Sequence, residues 1–121
     1  SIVMTSSVSG LGGDWELFAY NTSKGAVSNM VRAMAMDAAK DGVRVNAVNP
    51  SFTATRMTED MLAKPELVAE FRKRMPLGAP EDPEGVAAAM VFLASEDPRL
   101  ITGVNLPVDA GLMASNGQPH Q

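Results

Sequence analysis

The chain has 121 residues, of which 45% are hydrophobic and 20% charged, so its composition is that of a globular domain and not of a disordered segment. Its formal net charge is −4 and it carries no basic run, which argues against nucleic acid or an anionic membrane as a partner. The absence of cysteine excludes disulfides and thiolate chemistry. The single histidine, His120, is one residue from the end, which argues against a histidine-based triad or metal site. No apolar run reaches membrane-spanning length, and we expect a cytoplasmic protein without a bound metal.

The first half of the chain is predicted to contain a strand, a loop and a long helix. Residues 1–5 are a short apolar run typical of a buried parallel strand. Residues 6–16 are rich in Gly and Ser, which predicts a loop. From 17 to 40, apolar and small residues recur at three- and four-residue steps, which predicts a helix. Gly42 stands where a helix-ending glycine is expected.

The second half alternates strands and helices again. Residues 43–48 read as a strand ended by Pro50, and two short helices are predicted near 58–63 and 65–73. Asp82, followed by Pro and Glu, predicts the start of a further helix that runs to about residue 95, and the last strand is expected at 104–108. Strands that alternate with helices imply an α/β fold with a parallel sheet.

A glycine-rich stretch follows the first predicted strand but does not match a phosphate-binding loop. Gly10-Leu11-Gly12-Gly13 lacks the G-x-G-x-x-G spacing, and it lies too far before the long helix to place a phosphate at that helix's N-terminus. We interpret it as a turn-forming loop.

Tyr20 and Lys24 are the residues that suggest chemistry. They lie four residues apart on the predicted long helix, so they share one face. A neighbouring ammonium stabilises a phenolate and makes a tyrosine hydroxyl a usable general acid and base. Ser6, Ser7 and Ser9 follow the preceding strand, and the end of a parallel strand is where such sheets place ligands. The alternative for the pair alone is a surface tyrosine packed on an aliphatic lysine stem.

With these residues in place, the sequence resembles the short-chain dehydrogenases/reductases over nearly its whole length. The family's Y-x-x-x-K matches Tyr20 to Lys24, and its serine, thirteen residues before the tyrosine, matches Ser7. Its N-x-x-x-P-G-x-x-x-T matches residues 46–55, and its T-G-x-x-x-x-V-D-G-G matches residues 102–111. The resemblance implies the C-terminal half of a doubly wound, parallel-sheet Rossmann fold.

The resemblance also implies roles for individual residues. Ser7 would hold the substrate oxygen, Tyr20 would transfer the proton, and Lys24 would make Tyr20 more acidic and contact the nicotinamide ribose. The cofactor would be NAD or NADP, with NAD the first choice, and Tyr20 and Lys24 would share its binding with Pro50, Ser51, Thr53 and Thr55. Thr53–Met75 corresponds to the family's mobile substrate lid.

Five further residues are candidates for lining the substrate site: Ser9, Trp15, Phe52, Met57 and Met61. Each has an alternative interpretation. The methionines could be ordinary core residues, and Trp15 could pack at the surface instead of covering the site.

The sequence departs from the family in two positions and lacks an upstream part. Ser51 and Ala110 replace glycines of the family's motifs, and both are expected to keep a negative φ with only local adjustment. The glycine-rich cofactor loop, a catalytic asparagine and the residue that selects NAD or NADP are absent from this chain. We expect the full enzyme to be about twice as long, with the N-terminal cofactor-binding half supplied elsewhere, and to assemble as a homotetramer.

The function implied is hydride transfer between a nicotinamide cofactor and a small alcohol or ketone. Within the family, residues 7–15 and 114–119 look closest to the bacterial acetoin/diacetyl reductases, which are also called 2,3-butanediol dehydrogenases. The alternatives are another short-chain reductase, of the 3-oxoacyl-carrier-protein or sugar-alcohol type, or a catalytically silent fragment that serves as an interaction module.

Overall fold

The computed structural model describes residues 1–118; residues 119–121, which include His120, lie outside that range. It contains three strands and four α-helices in the predicted order: β1 Ile2–Thr5, α1 Phe18–Ala38, β2 Val45–Pro50, α2 Glu59–Leu62, α3 Pro65–Arg74, α4 Pro83–Ala94 and β3 Asn105–Val108. Short 3-10 helices lie at Val8–Gly10, Ala39–Asp41, Arg56–Thr58 and Leu112–Ala114. No helix of this described part is both long and apolar enough to cross a membrane.

The three strands form one parallel sheet in the order β1-β2-β3. Ile2 lies opposite Val45 in the first pairing, and Ala47 lies opposite Asn105 in the second. Parallel neighbours need a crossover connection, and α1 and the segment containing α2 to α4 provide the two crossovers. The predicted parallel α/β arrangement is therefore confirmed.

The central strand β2 is buried on both faces. Val45 and Ala47 pack against Val31 of α1 on one face. On the opposite face, Val48 packs with Leu93 of α4. A fully buried aliphatic side chain contributes roughly 1.5–3 kcal/mol to folding, so these contacts fix both helices on the sheet. The carboxyl ends of β1 and β2 are thereby held in one rigid layer.

The predicted helix ends are confirmed at both positions where the sequence marks them. Gly42 has a φ of 69°, in the left-handed region where a glycine has no steric penalty. Asp82 caps α4, because its carboxylate accepts a hydrogen bond from the Gly85 amide at 2.6 Å, and Pro83 occupies the first helical position.

A third hydrophobic cluster lies beneath the segment that follows β2. Phe52, Met75 and Ala79 are its buried members, and the rings of Phe52 and Phe71 lie 4.5 Å apart. Met61 packs against the same cluster. Residues 53–75 are therefore anchored at both ends and through the face that α2 and α3 turn inward.

Ala110 does not keep the negative φ expected for it, whereas Ser51 does. The φ of Ala110 is 51°, and Gly111 follows with a φ of 89°. The reason is Asp109, whose carboxylate accepts hydrogen bonds from the amides of Gly111 at 3.0 Å and Met113 at 2.9 Å. That turn requires two successive left-handed residues, and an alanine there carries a strain of about 1–2 kcal/mol.

Candidate active site

A groove of about 540 Å³ opens at the carboxyl ends of β1 and β2. Its size falls within the range of small-molecule and cofactor sites, and its position matches the edge where parallel α/β sheets bind ligands. Residues from β1, α1, the segment after β2 and α4 line it together: Thr5, Ser6, Ser7, Tyr20, Lys24, Pro50, Ser51, Thr53, Thr55, Arg56, Met57, Thr58, Pro83, Val86, Ala87 and Met90.

Lys24 and Tyr20 reach this groove from the first turns of α1. The Lys24 ammonium donates a hydrogen bond to the Thr5 carbonyl at 3.1 Å, which ties it to the last residue of β1. The same ammonium lies 5.7 Å from the centroid of the Tyr20 ring. A cation at this distance from a ring centroid interacts favourably with the ring. The helical spacing therefore brings the two groups together, as predicted.

Ser7 is held by its own loop. Its hydroxyl oxygen accepts a hydrogen bond from the Ser9 amide at 3.2 Å, so that Ser7 caps the 3-10 helix Val8–Gly10. The hydroxyl has two acceptors within reach, the Ser9 hydroxyl at 3.1 Å and the Pro50 carbonyl at 3.4 Å, but only one proton. A ligand oxygen in the groove could therefore take that proton in place of either weak partner.

A buried polar network beneath the groove fixes the backbone of Ser7. The Asn49 side-chain amide donates to the Ser7 carbonyl at 2.8 Å and to the Ser28 hydroxyl at 3.3 Å. Ser28 in turn bonds the Ser6 hydroxyl at 2.8 Å. Asn49 and Ser28 are fully buried. The network joins the loop after β1 to α1 and β2, and no local sequence pattern connects these three positions.

Gly10 permits the serine loop to lie directly against α1. A Cβ atom at Gly10 would lie 2.6 Å from the Lys24 carbonyl oxygen and 2.7 Å from the Ser28 hydroxyl oxygen. Neither Gly12 nor Gly13 has any atom within 4 Å of such a position. The close approach at Gly10 thus sets the spacing between the Ser7 loop and the helix that carries Tyr20.

Glu81 lies behind the segment that follows β2. Its carboxylate accepts hydrogen bonds from the Ser51 amide at 3.3 Å and the Thr53 hydroxyl at 3.0 Å. Burial raises the pKa of Glu81 above the usual value of a glutamate, and the charges of Asp109 and Asp82 add to that rise. The two hydrogen bonds act in the opposite direction without cancelling the effect of burial.

The structure brings together most of the residues predicted for the site but not all of them. Eight line the groove: Ser7, Tyr20, Lys24, Pro50, Ser51, Thr53, Thr55 and Met57. Four predicted substrate-lining residues lie elsewhere. Ser9 is buried below Ser7 and donates to the Asp14 carboxylate, while Trp15 is 94% exposed on the loop. Phe52 and Met61 belong to the third hydrophobic cluster.

Helix α4 contributes a face to the groove that was not predicted from the sequence. Its groove-lining positions are 83, 86, 87 and 90. This spacing marks one face of a helix and was a usable signal. The spacing shows that these four residues share one face of α4. That this face lies at the carboxyl edge of the sheet follows only from long-range packing.

The groove's chemistry suits the nicotinamide end of a dinucleotide. Val86 and Met90 offer apolar surface for a flat ring, and the hydroxyls of Thr53 and Thr55 offer partners for polar substituents. The Lys24 ammonium provides a donor for sugar hydroxyls beside the Tyr20 phenol. A phenol, a second hydroxyl and a cation therefore line one groove.

Comparison with known proteins agrees with this arrangement. A family model described as enoyl-(acyl carrier protein) reductase matches residues 1–113. The chain is 52% identical over 118 residues to a meso-2,3-butanediol dehydrogenase of Serratia marcescens, with 98% of this chain and 46% of that protein covered. It is 40% identical to an NADP-dependent (R)-specific alcohol dehydrogenase of Lentilactobacillus kefiri, covering 94% of this chain and 46% of the relative.

A solved dehydrogenase structure is also similar to this chain. A 4-hydroxyisoleucine dehydrogenase complexed with NADH superposes with a TM-score of 0.90 at 32% identity, covering 95% of this chain and 47% of the other. The chain thus spans about half the length of the proteins it matches. On the strength of the matched model, the relatives and the motifs, the chain belongs to the short-chain dehydrogenase/reductase family.

Proposed function

We propose that the enzyme containing this chain transfers hydride between a nicotinamide cofactor, NAD or NADP, and a small alcohol or ketone. The observation that carries the proposal is the position of the Lys24 ammonium, held by the Thr5 carbonyl next to the Tyr20 ring in a groove that Ser7 also lines. These three groups supply a proton carrier, a cation beside it and a hydrogen bond for the reacting oxygen.

The chain's own residues bind the cofactor and orient it. Pro50 and Ser51 would flank the nicotinamide ring, with the Thr53 backbone and the Thr55 hydroxyl near its polar group. Lys24 would hydrogen-bond the ribose while it remains tied to the Thr5 carbonyl. When bound, the cofactor supplies the carbon that accepts or donates hydride.

Proton transfer belongs to Tyr20. In oxidation, the Tyr20 phenolate takes the proton of the substrate hydroxyl as the C–H bond releases hydride, and a C=O bond forms. In reduction, the phenol returns that proton to the oxygen. Lys24 stabilises the phenolate. Ser7 donates a hydrogen bond to the reacting oxygen. The Ser7 proton is available for this bond because its two acceptors in the structure, the Ser9 hydroxyl at 3.1 Å and the Pro50 carbonyl at 3.4 Å, are weak partners.

The substrate class we propose is a small vicinal diol or hydroxyketone, such as 2,3-butanediol, acetoin or diacetyl. The support is the 52% identity to a relative named for meso-2,3-butanediol. Met57 lines the groove and would offer apolar surface for a short carbon chain. Residues 53–75 would act as the lid over this substrate, hinged on the cluster that buries Phe52 and Met75.

We also propose that the working enzyme is a homotetramer whose upstream half binds the adenine end of the cofactor. The support for assembly is the exposed apolar surface on α1 and α4: Phe18, Met30, Met36, Val91 and Phe92. Large apolar side chains exposed on a helix are typical of an interface that another subunit covers.

A substrate panel on the complete enzyme tests the proposal. Butanediol stereoisomers, acetoin, galactitol and a 3-oxoacyl thioester would each be assayed with both cofactors while NAD(P)H absorbance is followed. We expect the highest kcat/KM with a four-carbon diol or hydroxyketone. A higher value with galactitol would favour the sugar-alcohol alternative, which a galactitol 2-dehydrogenase relative at 45% identity over 92 residues supports. Absence of turnover with every alcohol and ketone would favour a silent module.

A further inference from the structure

Glu81 contacts the segment after β2 through both its main chain and its side chain, and no sequence motif predicts these contacts. Its backbone amide donates to the Phe52 carbonyl at 2.8 Å, and its carbonyl accepts from the Ala54 amide at 2.8 Å. These two bonds form an isolated parallel bridge between Glu81 and Thr53. The main chain of a single residue thus fixes the peptide groups on both sides of Thr53.

The Glu81 side chain doubles this attachment. One carboxylate oxygen accepts from both the Ser51 amide and the Thr53 hydroxyl. The other oxygen is buried and has no hydrogen-bond partner within the described residues. Each of these bonds is stronger when the carboxylate is ionised, and a neutral acceptor oxygen at the same place would hold the same two donors less strongly.

Ser51 and Thr53 line the groove, whereas Glu81 does not and lines a separate cavity of about 470 Å³. Glu81 would therefore reach the site only through the two residues that it holds. We propose that Glu81 is a positioning residue for the cofactor, which fixes segment 51–54 in the conformation that receives the nicotinamide group. This inference rests on the proposed function, because it takes that segment as part of the cofactor site.

A positioning role for Glu81 differs from a purely structural role in its effects on stability and on cofactor binding. Burial raises the pKa of Glu81, so ionising this group costs more free energy in the folded chain than in the unfolded chain. If Glu81 served stability alone, removing its charge would lower the stability of the fold. A positioning residue would instead weaken cofactor binding, with turnover at saturating cofactor changed less.

The experiment uses the complete enzyme with Glu81→Ala, Glu81→Gln and a matched control, Glu84→Ala. Glu84 is exposed in the first turn of α4 and does not line the groove, so its removal changes the charge equally at a nearby position. Hydrogen exchange of residues 51–54 is measured without cofactor, and NADH and NADPH affinities are measured by fluorescence titration. The kinetic constants kcat and cofactor KM are measured alongside.

We expect Glu81→Ala to speed exchange of residues 51–54 and to raise the cofactor Kd and KM by roughly tenfold, which corresponds to about 1.4 kcal/mol, with a smaller change in kcat. Glu81→Gln keeps an acceptor oxygen and should rescue affinity to within about threefold of the wild type, without a fall in stability. Glu84→Ala should match the wild type in exchange and affinity.

Unchanged exchange or unchanged cofactor affinity in Glu81→Ala would overturn the inference, as would an equal loss of affinity in Glu84→Ala. Wild-type enzyme that binds neither NADH nor NADPH would refute the proposed function and, with it, this role of Glu81. That result differs from failure of the inference alone, in which the wild type binds cofactor and Glu81→Ala binds it equally well.

Discussion

Substitution of Gly10 by alanine should push the loop that carries Ser7 away from helix α1. The added Cβ atom would lie 2.6 Å from the Lys24 carbonyl oxygen and 2.7 Å from the Ser28 hydroxyl oxygen. The first neighbour belongs to the backbone of α1, which cannot rotate away. The loop that carries Ser7 must therefore move relative to the helix that carries Tyr20 and Lys24.

The size of the effect follows from that distance. To reach an ordinary contact of 3.4 Å from 2.6 Å, the loop has to move by about 0.8 Å. Overpacking of this kind costs roughly 1–3 kcal/mol of folding free energy. A displacement of about 1 Å between reacting groups can lower a rate by about 10²-fold, so we expect kcat/KM to fall by roughly 10- to 100-fold.

Urea unfolding and steady-state kinetics of the complete enzyme would measure both effects. Gly12→Ala is the matched control, because its added Cβ meets no atom within 4 Å. Gly12→Ala should retain the wild-type stability and kcat/KM. If Gly10→Ala behaved like this control in both assays, the close contact between loop and helix would not be what positions Ser7.

Three further predictions follow from single contacts. Ala110→Gly should raise the unfolding free energy by about 0.5–1 kcal/mol, because it relieves the φ of 51°; a loss of stability in urea unfolding would contradict this. Asn49→Ala removes the donor to the Ser7 carbonyl and should lower kcat/KM by about tenfold. The control Asn105→Ala removes only a donor to the Ser28 carbonyl and should lower kcat/KM less, and equal losses in the two variants would refute a specific role of Asn49. Since the pKa of Glu81 is raised in the folded state, the contribution of this group to the unfolding free energy is lost as pH rises through that pKa. Glu81→Gln should therefore flatten this fall in stability, and an unchanged pH profile of stability would count against a raised pKa.

Local signals in the sequence were sufficient to predict the helices and strands and the proximity of Tyr20 and Lys24. Gly42 and Asp82 end and begin helices for reasons contained within a few residues, namely a left-handed backbone and a side-chain cap. Tyr20 and Lys24 meet because a helix places residues four apart on one face. In such cases the geometry is local, so the sequence determines it directly.

Contacts between distant segments could not be read from local patterns. Phe52 and Met57 are both apolar residues after β2, yet Phe52 enters the third cluster and Met57 lines the groove. The polar contacts of Asn49 and Glu81 join segments that are 42 and 28–30 residues apart. Ala110 adopts a left-handed conformation because the turn around Asp109 imposes it, although alanine itself disfavours it.

The central claim, that the Tyr20 hydroxyl transfers the substrate proton beside Lys24, is tested most directly by Tyr20→Phe in the complete enzyme. Thr22→Val, which also removes a hydroxyl from the same helix but at an exposed position away from the groove, is the control. Kinetics and NADH titration should show kcat/KM reduced by about 10²–10⁴-fold in Tyr20→Phe, with cofactor affinity kept within about threefold and Thr22→Val unaffected. A Tyr20→Phe enzyme that retained most of its turnover would contradict the account.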